Sequence, residues 1–156
     1  MKSTILCAAL ATLVCSAGAA NAGVASMASS RVANNVACDR IETPLTGMLA
    51  YGRDHGTTKE TALSKVQALP INDGSRQIAE SRIEDVYLDP AIRMPTLIAY
   101  RTVRCQRDLV LRDFSQFNDI ARSTLLQCQT LGEPGDRRFR NCIHDLLSTL
   151  EDKRNP

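Results

Sequence analysis

From Val36 to Leu150 the large apolar residues recur every three or four positions, with little strict alternation. That is the period of helices with one buried face. Ile41, Leu45, Met48, Leu49 and Gly52 share one face of a first helix; Thr43-Pro44 restarts it, and Gly56 ends it as a left-handed C-terminal residue. Thr57 and Glu60 have capping-box spacing and open a second helix with Ala62, Leu63, Val66 and Leu69, stopped by Pro70. Asp73 or Ser75 caps a third, carrying Ile78, Ala79, Ile83, Val86 and Tyr87 and ending before Asp89-Pro90. Pro95-Thr96 opens a fourth with Leu97, Ile98, Cys105 and Leu109, which fades near Asp113. Ser115 caps a fifth with Phe117, Ile120, Ala121, Leu125, Cys128 and Leu131. Gly132-Glu133-Pro134-Gly135 breaks the chain, and Asp136 caps a sixth with Phe139, Cys142, Ile143, Leu146, Leu147 and Leu150. Short helices with brief connections predict an all-α fold, a compact antiparallel bundle of about six helices in a single domain over residues 36–150.

The chain ahead of this pattern is different. Lys2 is followed by the apolar run Ile5–Val14, broken only by Thr12, then by small residues and Ala20-Asn21-Ala22. Residues 1–22 read as a secretory signal peptide cleaved near Ala22-Gly23, which puts the mature protein in the periplasm or outside the cell. Cys15 invites a lipid anchor, but the residue before a lipidated cysteine is normally small, and here it is Val14. Residues 23–35 are small and polar and are expected to be a flexible leader, and residues 151–156 a frayed tail. No second apolar stretch is long enough for a membrane-spanning helix in the mature form.

An oxidising compartment gives the cysteines their meaning. Cys7 and Cys15 leave with the signal, and Cys38, Cys105, Cys128 and Cys142 remain. None forms the close Cys-x-x-Cys pair that a metal site favours, so two disulfides are expected. Cys128 and Cys142 lie a few residues either side of the Gly132–Gly135 break, on the facing sides of a helical hairpin, within reach of one another. That leaves Cys38 for Cys105. Nothing beside these residues signals a depressed thiol pKa, so structural bridges are favoured over redox exchange.

Net charge is +2, one less once Lys2 is removed, which argues against broad nucleic-acid binding. Glu80, Glu84 and Asp85 lie on the third helix and Asp89 follows it. Glu80 and Glu84 share a face at i and i+4, as paired carboxylates for glycoside hydrolysis would, but the chain has no Trp to line a sugar cleft. The plainer reading is a solvated acidic face partnered by Arg76 and Arg82, with electrostatic contact to a basic protein as its functional form. Arg101, Arg104, Arg107 and Arg112 run along and beyond the fourth helix, and Arg137, Arg138 and Arg140 open the sixth. Without interleaved aromatics they do not suit single-stranded nucleic acid; they suit ion pairs with Asp108, Asp113 and Asp136, or an anionic partner. The candidate partner surface is therefore Glu80, Glu84, Asp85, Arg101, Arg104 and Arg107. His55 and His144 are the only histidines, and both read as structural: His55 suits the carbonyls of a helix C-terminus, and His144 with Ser148 at i+4 is a chance pairing. Tyr51, Tyr87 and Tyr100 read as core residues with a hydroxyl at the rim. No catalytic, cofactor-binding or metal-binding residues are indicated.

The segment Cys38–Cys105 has a recognisable grammar: Arg53-Asp54-His55-Gly56, Lys59-Glu60-Thr61-Ala62, Val86-Tyr87-Leu88-Asp89-Pro90 and Tyr100-Arg101-Thr102-Val103-Arg104-Cys105. It resembles a loose group of small exported proteobacterial proteins with a signal peptide, an arginine-glycine helix end, a Val-Tyr-x-x-Pro step and a closing cysteine. The resemblance implies a fold and a compartment, and the Cys128–Cys142 hairpin is an addition to it. Periplasmic immunity proteins against wall-degrading toxins are similar in size, helicity and disulfide use. The expected function is a non-enzymatic exported binding protein, an inhibitor or immunity factor for a hydrolytic enzyme or toxin, with another protein as partner and no cofactor. A periplasmic chaperone or stress protein, and an enzyme of unknown type, are the alternatives.

Overall fold

The computed structural model describes residues 22–155, with side chains from residue 34 onward. The signal peptide expected over residues 1–22 lies outside these but for Ala22. Six α-helices follow in order: α1 (Ala22–Asp54), α2 (Lys59–Gln67), α3 (Asp73–Val86), α4 (Met94–Gln106), α5 (Asn118–Cys128) and α6 (Arg137–Arg154), with a 3₁₀ turn at Ser115–Phe117 before α5. No strand interrupts them among the described residues, so the fold is all-α.

Helix boundaries differ from the sequence expectation where local hydrogen bonding decides. The helix reaches back to Ala22 through residues 23–35, expected as a leader; that run lacks proline and is rich in alanine, the best helix former. Pro44 lies inside α1 rather than in a first turn, so α1 is continuous and lacks one internal hydrogen bond at that point. Thr58, not Thr57, caps α2, its side chain accepting from the Thr61 amide at 3.2 Å. Asn72, rather than Asp73 or Ser75, caps α3 by accepting from the Ser75 amide at 2.8 Å. Gly56 takes the left-handed conformation expected of it, φ 88°. Ser115 begins the 3₁₀ turn, and α5 starts only at Asn118. Asp136 is the N-cap residue of α6, yet its carboxylate folds back over Gly132 and accepts from the Glu133 amide at 2.7 Å. The expected tail is helical to Arg154, with Glu151 paired to Arg107.

The core lies between α4, α5 and α6, where Leu97, Tyr100, Leu125, Phe139, Ile143 and Leu147 are buried with Val86 and Ile92. Cys38–Cys105 and Cys128–Cys142 are both bridged, with Cα separations of 5.7 and 5.6 Å. The first ties α1 to the end of α4, along which α1 packs; the second closes the α5–α6 hairpin.

The face that α1 buries is not the apolar one. Cys38, Glu42, Thr46 and Ala50 point inward, each no more than 1% exposed. Of the face expected in the core, Ile41, Leu45 and Met48 point outward, while Leu49 is half-buried against the core. No helix among the described residues is long and apolar enough to cross a membrane.

Candidate functional site

Glu42 explains the inverted face. Its carboxylate accepts from Arg82 Nη2 and Nε at 2.8 and 2.9 Å, from Arg101 Nε at 3.4 Å and from Thr46 Oγ1 at 3.2 Å. Behind it, Arg101 Nη1 donates to Asp85 at 2.5 Å, and Arg104 Nη1 reaches both oxygens of Asp85 at 2.7 and 2.6 Å. Arg82, Arg101 and Arg104 are at most 4% exposed. Buried charges persist only when paired and hydrogen-bonded; every charge in this alternating chain is paired, while Arg101 Nη2 and Arg104 Nε are buried without a hydrogen-bond partner among the described residues. Three cations face two anions, and the excess is spread onto backbone: Arg104 Nη2 donates to the carbonyls of Leu109 and Arg112 at 3.0 and 2.8 Å. Arg104 also lies over the ring of Phe114, 5.1 Å from its centroid.

Burial alone would raise the Glu42 pKa, but the hydrogen bond from Arg82 and the charges of Arg101 and Arg82 outweigh it and hold the carboxyl below its ordinary value. Arg101 is held above its ordinary value, because Asp85 and Glu42 overcome the opposing effect of burial. Tyr100 is fully buried beside this chain; burial, and then the charge of Asp85, push its hydroxyl pKa up, so it stays neutral.

The network forms one wall of a cleft of about 610 Å³ between α2, α3, α4 and the 111–118 segment. Glu80, Glu84 and Asp113 stand at its rim, and Asp85, Tyr100 and Arg104 line it more deeply. The Ser115 amide, donating at 2.8 Å, and the Ser115 side chain hold the Asp113 carboxyl below its ordinary range. Lys59 meets Glu84 at 2.6 Å, and among the described residues Glu80 is in no ion pair. Leu63, Leu111 and Phe114 give the cleft apolar patches among its amides and hydroxyls.

The six residues read as a partner surface are divided by the structure. Glu80 and Glu84 are on the cleft rim, and Asp85 is mostly inside it. Arg101 and Arg104, expected on that surface, are instead internal and paired with Asp85, Glu42 and backbone carbonyls, so they present no charge to a partner's surface. Arg107 clamps α4 to α6, donating to the His144 carbonyl at 3.1 Å, to Ser148 Oγ at 3.2 Å and to Glu151. Arg82 pairs with Glu42 rather than with the acidic face, and Arg76 donates to the carbonyls of Gln67 and Ile71, both at 3.1 Å. His55 Nδ1 meets the Tyr51 carbonyl at 2.8 Å, as a helix-terminal histidine should. Ser148 donates to the backbone carbonyl of His144, not to its ring. Of the tyrosines, Tyr100 is core, Tyr87 donates to the Thr57 carbonyl at 2.8 Å, and Tyr51 is exposed.

Glu42 was missed as a participant because a single acid among apolar neighbours has the look of a surface residue. The available signal was its place in the i, i+4 series Cys38, Glu42, Thr46, Ala50, headed by a cysteine that must be buried to bridge. Among the described residues no group of three or more His, Cys, Asp or Glu side chains is placed to hold a metal ion. Comparison with protein-family models, with curated proteins and with solved structures finds no match.

Proposed function

We propose that this chain is a non-enzymatic exported binding protein whose acid-rimmed cleft receives a basic segment of another protein. The observation that carries the reading is the distribution of charge at the cleft: Glu80, Glu84 and Asp113 stand at its rim, while of its two arginines Arg104 is committed to Asp85 and Arg112 leans to Glu151 at 3.6 Å. A basic loop or helix entering there meets Glu80 and Asp113 without a cation to displace, and Glu84 paired only with the half-exposed Lys59, an arrangement that favours fast, selective docking. The two disulfides support residence in an oxidising compartment, and with the buried ion network they give a scaffold that needs little ordering on binding. An inhibitor or immunity factor for a hydrolytic enzyme is the finer form of this reading.

The test is affinity capture with the oxidised protein from periplasmic and secreted fractions, followed by titration of what is captured. One stoichiometric partner is expected, with affinity falling as salt rises. The double reversal Glu80→Lys with Glu84→Lys should weaken that binding by about tenfold or more while leaving thermal stability near the parent's. Weak capture of many unfolded clients would replace this reading with the chaperone one. Binding indifferent to both salt and the double reversal would remove the cleft from the mechanism.

A further inference from the structure

The outward face of α1 is a second feature, remote in chemistry from the acid-rimmed cleft. Ile41, Leu45, Met48 and Tyr51 are 50%, 37%, 65% and 61% exposed. They follow one another on a face that holds no charged side chain: Glu42 and Arg53 of the same helix turn inward to Arg82 and to the 86–92 carbonyls. Arg40 and Asp54 flank the stripe on one side. A continuous apolar stripe on a helix held rigid by a disulfide is a surface that water solvates poorly.

We propose that this stripe is covered by a second copy of the chain, α1 against α1, antiparallel, about a two-fold axis near Thr46-Gly47. The spacing argues for self-pairing. Ile41, Leu45, Met48 and Gly52 are separated by four, three and four residues, a series that reads the same from either end. With the axis so placed, Leu45 is level with Met48 of the second copy, and Ile41 is level with Gly52 of the second copy, over which the Thr57 side chain lies. The four-three alternation suits two helices crossing at a shallow angle. Charge is complementary in the same register. Arg40 falls about one residue, or ~1.5 Å along the axis, from Asp54 of the second copy, whose Oδ1 is held by its own Arg53 at 2.8 Å so that Oδ2 is the atom left to meet Arg40, and about two residues, ~3 Å, from the Tyr51 ring, one face of which is stacked on His55. Such a contact is isologous and closes on itself, giving a dimer and not a filament. A membrane surface fits less well, because the flanks carry one cation and one anion instead of the basic margin of an interfacial helix.

Sedimentation of the oxidised protein over a dilution series tests this. A monomer–dimer equilibrium is expected. Leu45→Glu should weaken it by about thirtyfold or more, the scale of a central interface residue, whereas Leu69→Glu, at an exposed apolar position away from α1, should not. Arg40→Glu and Asp54→Arg should each weaken the dimer, and the two together should restore it; this rescue is specific to the antiparallel register and unavailable to a variant that simply misfolds. Glu80→Lys with Glu84→Lys should leave self-association unchanged, so failure of the dimer and failure of the cleft are separately visible. A chain that is monomeric at every concentration, or that associates only with lipid vesicles, overturns the proposal. So does a dimer indifferent to Leu45→Glu, or a charge swap that weakens it further.

Discussion

Glu42 carries a full negative charge into a position where a helix usually places leucine, and three helices meet on it: its own α1, α3 through Arg82 and α4 through Arg101. Removing one partner of a buried pair leaves the other charge uncompensated, which costs about 3–5 kcal/mol. Glu42→Gln is expected to lose stability on that scale in urea unfolding at neutral pH, against less than about 0.5 kcal/mol for Glu80→Gln on the open cleft rim. The sign of the pH effect follows from the direction of the shift. The folded protein holds the Glu42 carboxyl below its ordinary 4.5, so the unfolded chain takes up its proton first on acidification. The stabilisation is therefore fully present above about pH 4.5 and is lost as pH falls through the folded value. Unfolding free energy measured along a pH series should drop on this acid limb, and Glu42→Gln should flatten it. Asp113 is shifted in the same direction by Ser115 but is exposed, so its part in the limb is small. A Glu42→Gln protein as stable as the parent, with the acid limb intact, would show that the network only fills space.

At the scale of elements, helix number, order and most endings were legible, because proline, glycine and the 3.6-residue period act locally. The faces of α3 to α6 were legible too: Ile83, Val86, Leu97, Leu125, Phe139 and Ile143 are buried where the period put them. The orientation of α1 was not, because periodicity assigns the apolar face inward and cannot see that Arg82 and Arg101, far along the chain, arrive to satisfy an inward carboxylate. Arg101 and Arg104 were misread for the same reason: a run of arginines on one helix looks like a surface stripe until Asp85 is placed between them. The cleft rim was half legible, since Glu80 and Glu84 share a local helix face, while Asp113 reaches it through an irregular loop. Arg53 shows how α1 is fixed at its other end. Its Nη1 donates to the carbonyls of Val86 and Asp89 at 2.8 and 3.1 Å, and its Nη2 to that of Ile92 at 3.0 Å. These carbonyls belong to the end of α3 and the turn after it, which a single lysine nitrogen cannot span as a planar fork does. Arg53→Lys is expected to cost about 2 kcal/mol in thermal or chemical unfolding and to speed amide hydrogen exchange across residues 86–92. Unchanged exchange there would mean that the turn is held by Pro90 and its own hydrogen bonds.

Across the whole molecule, two bridges hold parts that contribute unequally to the core. The apolar core is concentrated in α4 to α6, and α1 joins it through Ala50 and Leu49 near its end and, further back, through charge, hydrogen bonds and the Cys38 bridge. The Cys38–Cys105 bridge spans 67 residues and encloses α2 and α3; Cys128–Cys142 spans 14 and encloses one turn between two well-packed helices. If bridges act chiefly by restricting the unfolded chain, the longer loop contributes about 4 kcal/mol and the shorter about 3. The two should also differ in kind. Without Cys128–Cys142, the α5–α6 hairpin retains Leu125, Phe139, Ile143 and Leu147 as mutual packing, so Cys128→Ala with Cys142→Ala should unfold in one cooperative step at reduced stability. Without Cys38–Cys105, the stretch of α1 before Ala50 is held mainly by the Glu42 ion pairs and hydrogen bonds, with little apolar burial of its own. Cys38→Ala with Cys105→Ala should therefore lose more stability and also loosen α1 ahead of the rest, with amide protection in residues 38–54 collapsing before that in α6. Hydrogen exchange on the two paired variants, read alongside urea unfolding, separates these outcomes. Equal losses with uniform protection would mean that α1 is integrated as tightly as the apolar helices, and that the ion network alone can seat a helix whose greasiest face points to solvent.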